Sequence, residues 1–181
     1  MKNKFSEKIE IPKDIICTYE NNILTCKKDS AELSRDISIP KVKIKMKDNS
    51  ITFNCDKANK KEIKAIKSFM AHIKNIFQGL DEPYTYNLEA CNVHFPMNLK
   101  VESNQVIITN FLGETIQRKS KILPNVTVEI KGQKITVSSH DKEAAGQTAA
   151  SLEYATKVKG RDRRIFQDGI FITDKPEKKK W

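Results

Sequence analysis

The chain reads as an α+β protein of two duplicated domains, each a small antiparallel β-sheet with one packed α-helix. Three observations predict this. Apolar residues and prolines recur at one spacing: Pro12 and Pro96, and Pro40 and Pro124, are each 84 residues apart. Apolar side chains alternate with polar ones through both copies, the pattern of antiparallel strands covered on one face. Each copy then closes with a segment of helical spacing. With no gap at that offset, Ile15 falls on Leu99, Cys17 on Val101, Leu24 on Ile108, Ile44 on Val128 and Ile51 on Ile135, which points to internal duplication.

In chain order, Met1 to Lys8 is expected to be a mobile tail, and the first repeat covers 9–80. A strand at Ile15–Tyr19 turns at Asn21-Asn22 and returns at Ile23–Cys26. A second hairpin follows Pro40: Val42, Ile44 and Met46 alternate, Asp48-Asn49 turns, and Ile51-Thr52-Phe53 returns. Ile63, Ile66, Phe69, Met70, Ile73, Ile76 and Phe77 then define an amphipathic helix with lysines mostly on its other face. That face reads as a solvated one, and Gly79 is placed to stop the helix. A linker lies near Gly79 to Tyr84.

The second repeat, 81–173, carries the same grammar at Leu99–Glu102, Val106–Thr109, Val126–Ile130 and Ile135–Val137. Its helix, from about Asp141 to Thr156, is built from Ala144, Ala145, Gly146, Ala149, Ala150 and Ser151, with Asp141 as N-cap. Such small side chains permit close backbone approach, to the sheet by preference or else to a partner. Ile170-Phe171-Ile172 reads as a last short strand, Asp168-Gly169 as the turn before it, and 174–181 as a basic tail.

Composition narrows the function. The 181 residues are 38% hydrophobic and 31% charged, enough for one good core or two small ones, and net charge is +10. Acidic macromolecules are therefore the expected partners. No apolar run approaches the roughly 20 residues of a membrane span, no basic helix carries an aromatic-rich face suited to lipid, and the N-terminus has no apolar signal core. Nucleic acid is thereby favoured. Cys17, Cys26, Cys55 and Cys91 form no Cys-x-x-Cys pair and read as small apolar fillers in a reducing compartment. His72, His94 and His140 are scattered, without acids at metal-ligand spacing. No phosphate loop or nucleophile set is readable, so neither metal, cofactor nor catalysis is expected.

One segment stands out for binding. Five of the eight residues from Lys157 to Arg164 are basic, interrupted by Gly160 and leading into the predicted strand. Charge beside an ordered element is the footprint of a surface that meets phosphate. Arg163 and Arg164 suit bidentate phosphate contacts, whereas Lys157 and Lys159 act as point charges. Phe166 either stacks on a base or plugs the second core. Lys178-Lys179-Lys180 is expected to add affinity without register.

Three segments carry a resemblance: His94-Phe95-Pro96-Met97-Asn98-Leu99-Lys100-Val101, Asn110-Phe111-Leu112-Gly113-Glu114, and Val158 to Ile172 with its Lys-Gly-Arg-Asp-Arg-Arg core. They resemble the L-six family of large-subunit ribosomal proteins in its archaeal and eukaryotic form, in matching order from about Ile9 to Lys175. The resemblance implies two duplicated α+β domains, no catalytic activity, no small-molecule substrate and a place in cytoplasmic ribosomes. It implies binding to large-subunit ribosomal RNA near the stalk base and the sarcin–ricin loop, beside neighbouring ribosomal proteins and close to translation GTPases. The second domain would make the main contacts, through Lys157, Lys159, Gly160, Arg161, Arg163, Arg164 and Phe166. Ser139, His140, Lys142 and Gln147 would add secondary ones, with Arg118 and Lys119.

The chain departs from the family at Thr25-Cys26-Lys27-Lys28-Asp29-Ser30-Ala31-Glu32-Leu33, where Val-Lys-Gly-Pro-Lys-Gly is usual before the leucine, and at Asp81-Glu82-Pro83, where Thr-x-Gly is usual. The alternative reading is a free-standing nucleic-acid-binding protein that reuses the duplicated fold.

Overall fold

The computed structural model describes residues 3–29, 31–47 and 49–177, and the chain divides into two units, Met1–Glu82 and Pro83–Trp181. The first unit contains β1 (Asn3–Glu10), β2 (Ile16–Glu20), β3 (Ile23–Lys28), β4 (Ala31–Asp36), β5 (Lys43–Lys47), β6 (Ser50–Ala58) and α1 (Lys60–Asp81). The strands form two small antiparallel sheets, β1-β6-β5 and β2-β3-β4, where one had been expected. Asn21 and Asn22 both take positive φ, the backbone of a tight turn matched to strand twist. α1 packs on β3, β4 and β6 and buries Ile66, Ile73 and Phe77 against Leu24, Ile51 and Phe53.

Two expectations fail here for physical reasons. The segment expected as an N-terminal tail is the strand β1, held by pairing with β6, where Phe5 faces Cys55 and Ile9 faces Ile51. Lys4, Lys8 and Glu10 point outward, and Glu7 interrupts the inward face between Phe5 and Ile9, which hides the signal. Gly79 does not stop α1; the helix runs through it to Asp81 and ends where Glu82 turns extended (φ −140°, ψ 129°) ahead of Pro83. A residue before proline is pushed out of the helical region, so the proline sets the boundary. Met1, Lys2, Asp48 of the expected turn and 178–181, including the lysine run, lie outside the described residues.

The second unit contains β7 (Tyr84–Cys91), β8 (Asn98–Glu102), β9 (Gln105–Thr109), a 3-10 turn (Phe111–Gly113), β10 (Arg118–Lys121), β11 (Thr127–Lys131), β12 (Lys134–Ser139), α2 (Lys142–Ala155) and β13 (Gly169–Asp174). Its antiparallel sheets are β11-β12-β7-β13 and β10-β9-β8, so β13 adds a strand that the first unit lacks. Asp141 caps α2 as expected, accepting from the Glu143 N–H at 2.9 Å. Ala145 and Ala149 are buried in the core, and at Gly146 a Cβ would stand 3.0 Å from the Tyr86 hydroxyl on β7. The small residues on that side thus serve close approach to the sheet.

The two units share one plan, but not at one spacing. In the second hairpin, Ile44 opposite Phe53 matches Val128 opposite Val137, an offset of 84. In the first hairpin, Cys17 opposite Cys26 matches Leu99 opposite Ile108, an offset of 82. The strands β1 and β7, with Ile9 opposite Ile51 and Leu88 opposite Ile135, give 79. The expected match of Cys17 to Val101 was therefore two residues out. A slip of two leaves every side chain on its proper face, so alternation does not detect it.

Candidate nucleic-acid interface

The basic segment leaves α2 at Thr156 and returns as β13. Thr156, itself buried, is the joint: its Oγ1 accepts from the Ile170 N–H at 2.8 Å and lies within bonding distance of the Leu152 and Glu153 carbonyls. Between these ends the chain projects outward. Lys157, Lys159, Arg161, Arg163 and Arg164 are all exposed, and among the described residues no carboxylate stands within ion-pair distance of them. Val158, between the two lysines, points inward and joins the core. Gly160 turns the chain at φ +68° with open space around it, so its role is conformational.

The far half of the loop is wound into a compact turn by Asp162. Its Oδ1 accepts from the Arg164 N–H, and its carbonyl accepts from the N–H groups of Ile165 and Phe166, all at 2.9–3.2 Å. The Asp168-Gly169 pair, expected to be a turn, is something else. Asp168 is 3% exposed and accepts from the backbone N–H groups of Val93 and His94 at 2.8 and 3.0 Å, with the His94 ring nitrogen 2.6 Å away. Burial opposes its charge, but these hydrogen bonds, led by the His94 N–H, prevail and hold the carboxyl below the usual range. Gly169 opens β13 at φ +156°, where a Cβ would meet the Phe171 ring.

Phe166 is half-buried and stacked on His94 (centroids 4.9 Å), with the Arg161 guanidinium 4.7 Å from its ring centre. It does the core-plugging job of the two foreseen and has protein groups on its ring already. Arg118 is likewise engaged inside the protein. Its Nε and Nη2 donate to Glu114 at 2.8 and 2.6 Å, its Nη1 donates to the Ala155 and Lys157 carbonyls at 2.9 and 3.4 Å, and its guanidinium covers Phe111 at 4.2 Å. The Arg118 hydrogen bonds in turn hold Glu114 below the usual carboxylate range. A cation on the last carbonyls of α2 also suits the helix dipole. Ser139 is 4% exposed, donating to the Asn125 carbonyl and accepting from the Asp141 N–H. Arg118, Ser139 and Phe166, expected as RNA contacts, are each engaged by groups of the protein itself.

The other expected residues stand at the surface. Lys119, Gln147 and Lys159 line an open groove of about 720 Å³ between β10 and α2, to which Arg118 also contributes. Lys157 and Arg163 belong to a second groove on the other side of Tyr154. His140 is exposed, and the Lys142 ammonium lies 5.1 Å from the Tyr84 ring centre. Sequence reasoning passed over two residues here. Tyr154, 66% exposed with the Lys159 ammonium 5.9 Å from its ring centre, is an exposed aromatic side chain that lines both grooves. Lys121 sits two residues beyond Lys119 on β10 and so shares its face, a signal the period-two rule carries.

The segments quoted for the family resemblance form one physical cluster. His94 meets Asp168, Phe95 lies against Gly113, Asn110 donates to the Pro96 carbonyl at 2.9 Å, and Glu114 holds Arg118. Among the described residues no group of His, Cys, Asp and Glu could hold a metal ion, and no helix is long and apolar enough to cross a membrane.

Duplicated α+β units, with a braced polycationic loop on the second, define a class of protein suited to meeting a polyanion. Residues 95–169 match the family model described as ribosomal protein L6. The chain is 39% identical over 172 residues to the large ribosomal subunit protein uL6 of Methanococcus vannielii, covering 95% of this chain and 94% of that one. It is 37% identical over 170 residues to the same protein of Haloarcula marismortui, covering 94% and 96%. With identity at that level across nearly the whole length, the chain belongs to the L6 family of large-subunit ribosomal proteins.

Proposed function

We propose that this chain is a structural constituent of the large ribosomal subunit and that its second unit grips large-subunit ribosomal RNA. The observation that carries this reading is the loop from Lys157 to Arg164, whose five cations are exposed and, among the described residues, in no ion pair, while the backbone beneath them is tied down at Thr156 and Asp168. Its family membership supplies the identity of the polyanion. Lys157, Lys159, Arg161, Arg163 and Arg164 are the principal phosphate ligands; Lys119, His140, Lys142 and Gln147 are secondary. Arg118, Ser139 and Phe166 act through them. By family resemblance the site on the subunit is the stalk base beside the sarcin–ricin loop, with neighbouring ribosomal proteins around it and translation GTPases docking nearby. The role is structural rather than catalytic.

The test is co-sedimentation followed by cross-linking. The chain should travel with large subunits through a moderate-salt wash, and its cross-links to RNA should centre on 157–164. Recovery only in RNA-free fractions would refute the reading, and tight binding to short duplexes without retention in subunits would favour a free-standing nucleic-acid-binding protein.

A further inference from the structure

Between equivalent paired positions the chain from β7 to β8 is three residues longer than that from β1 to β2, since the offset between the units rises from 79 at β1 and β7 to 82 at the first hairpin. The added length brings Val93 and His94 to Asp168, which belongs to the other second-unit addition, the chain after α2. Two features absent from the first unit thus meet each other. Asp168 spends its carboxylate wholly on this segment, with both oxygens engaged and the side chain buried. His94 in turn carries Phe166 on its ring, and Phe166 carries Arg161.

From this arrangement we propose that His94 and Asp168 are positioning residues for RNA binding: a latch that holds the basic loop in one shape before RNA arrives. The proposal rests on the reading of that loop as the RNA grip. The Thr156–Ile170 bond closes only the base of the loop. The latch fixes its far side, next to the turn where Asp162 presents Arg163 and Arg164. Preorganisation of this kind removes an ordering cost that a slack loop meets at binding.

Asp168→Asn and His94→Ala separate the latch from charge. Asp168→Asn removes a negative charge, so electrostatics alone would tighten binding to a polyanion. The latch predicts the reverse. If the braced shape falls to about a tenth of the population, the apparent Kd of the full chain for deproteinised large-subunit RNA rises about tenfold. The salt slope should stay unchanged, because no cation has been lost. Amide exchange across 157–167 should quicken while α2 and β12 keep their protection. Unchanged or tighter binding by both variants, with the fold intact by circular dichroism, overturns the proposal. If Asp168→Asn does not fold, His94→Ala decides, since it keeps both backbone N–H bonds to Asp168. Should the unaltered chain fail to prefer large-subunit RNA over unrelated RNA, the functional reading falls; the latch is then judged on loop exchange alone, and equal exchange in variant and unaltered chain overturns it.

Discussion

Replacing Arg118 with alanine should unfold the second unit at markedly lower temperature while leaving the electrostatics of RNA binding almost untouched. The paired bonds to Glu114 are partly exposed, with 24% and 40% of the two side chains accessible, and after solvent screening contribute about 0.5–1 kcal/mol. The bond to the Ala155 carbonyl, from a charged donor at a helix end, adds about 1.5 kcal/mol. Cover over Phe111 adds about 0.5 kcal/mol. Together these give about 2.5–3 kcal/mol. At about 4–8 °C per kcal/mol for a domain of this size, the melting temperature of the second unit should fall by roughly 10–20 °C. Calorimetry on Arg118→Ala beside Arg118→Lys reads this directly, and lysine should recover less than half, having no planar fork. The companion measurement is the salt dependence of RNA binding. A brace leaves the slope unchanged, whereas a phosphate ligand would lower it by about 0.9. A melting loss under about 3 °C combined with such a lowered slope would refute the reasoning.

The other predictions concern the helix seat, acid stability and the aromatic face. Gly146→Ala should destabilise by about 1 kcal/mol, the crowding against the Tyr86 hydroxyl exceeding the gain in helix propensity, and Tyr86→Phe in the same chain should restore it in thermal melts. The Asp168 carboxyl is lower in the folded state than in the unfolded chain, so its stabilisation is present above the ordinary carboxylate value of about 4 and is lost as pH falls through the folded value. Urea midpoints of Asp168→Asn should accordingly fall less between pH 7 and pH 3 than those of the unaltered chain; an equal fall would contradict this. Tyr154→Ala should weaken binding of single-stranded RNA by about 1–3 kcal/mol if a base stacks there, while Tyr154→Phe should not.

Much of this molecule was legible because its signals are local. The hairpins of β2–β3, β5–β6, β8–β9 and β11–β12 announced themselves through alternation and turn residues, and the basic loop through its charge density. What stayed hidden depends on partners distant in sequence. β4 and β10 are polar strands that exist because β3 and β9 offer them a ladder. β7 alternates Tyr84, Tyr86, Leu88 and Ala90, yet a linker was drawn up to its first residue. Arg118 and Lys119 are adjacent basic residues, and nothing in their identities says that one is tied to helix carbonyls and the other open to solvent. The internal bonds of Ser139 and Asp168 were hidden for the same reason: their partners, Asn125, Val93 and His94, lie far along the chain.

Carrying two copies of one plan exposes a chain to pairing with itself wrongly. β1 belongs beside β6 and β7 beside β12, yet both strands present apolar residues at similar intervals to similar hairpins. At matching positions, opposite Phe53 and Val137, β1 holds Glu7 and β7 holds Tyr86. Were β1 to take the place of β7, Glu7 would stand where the Tyr86 ring seats the backbone of α2 at Gly146. A shorter, charged side chain there would lose the ring's apolar cover over the helix. The contact between Gly146 and the Tyr86 ring is one that β7 makes and a mispaired β1 would forfeit.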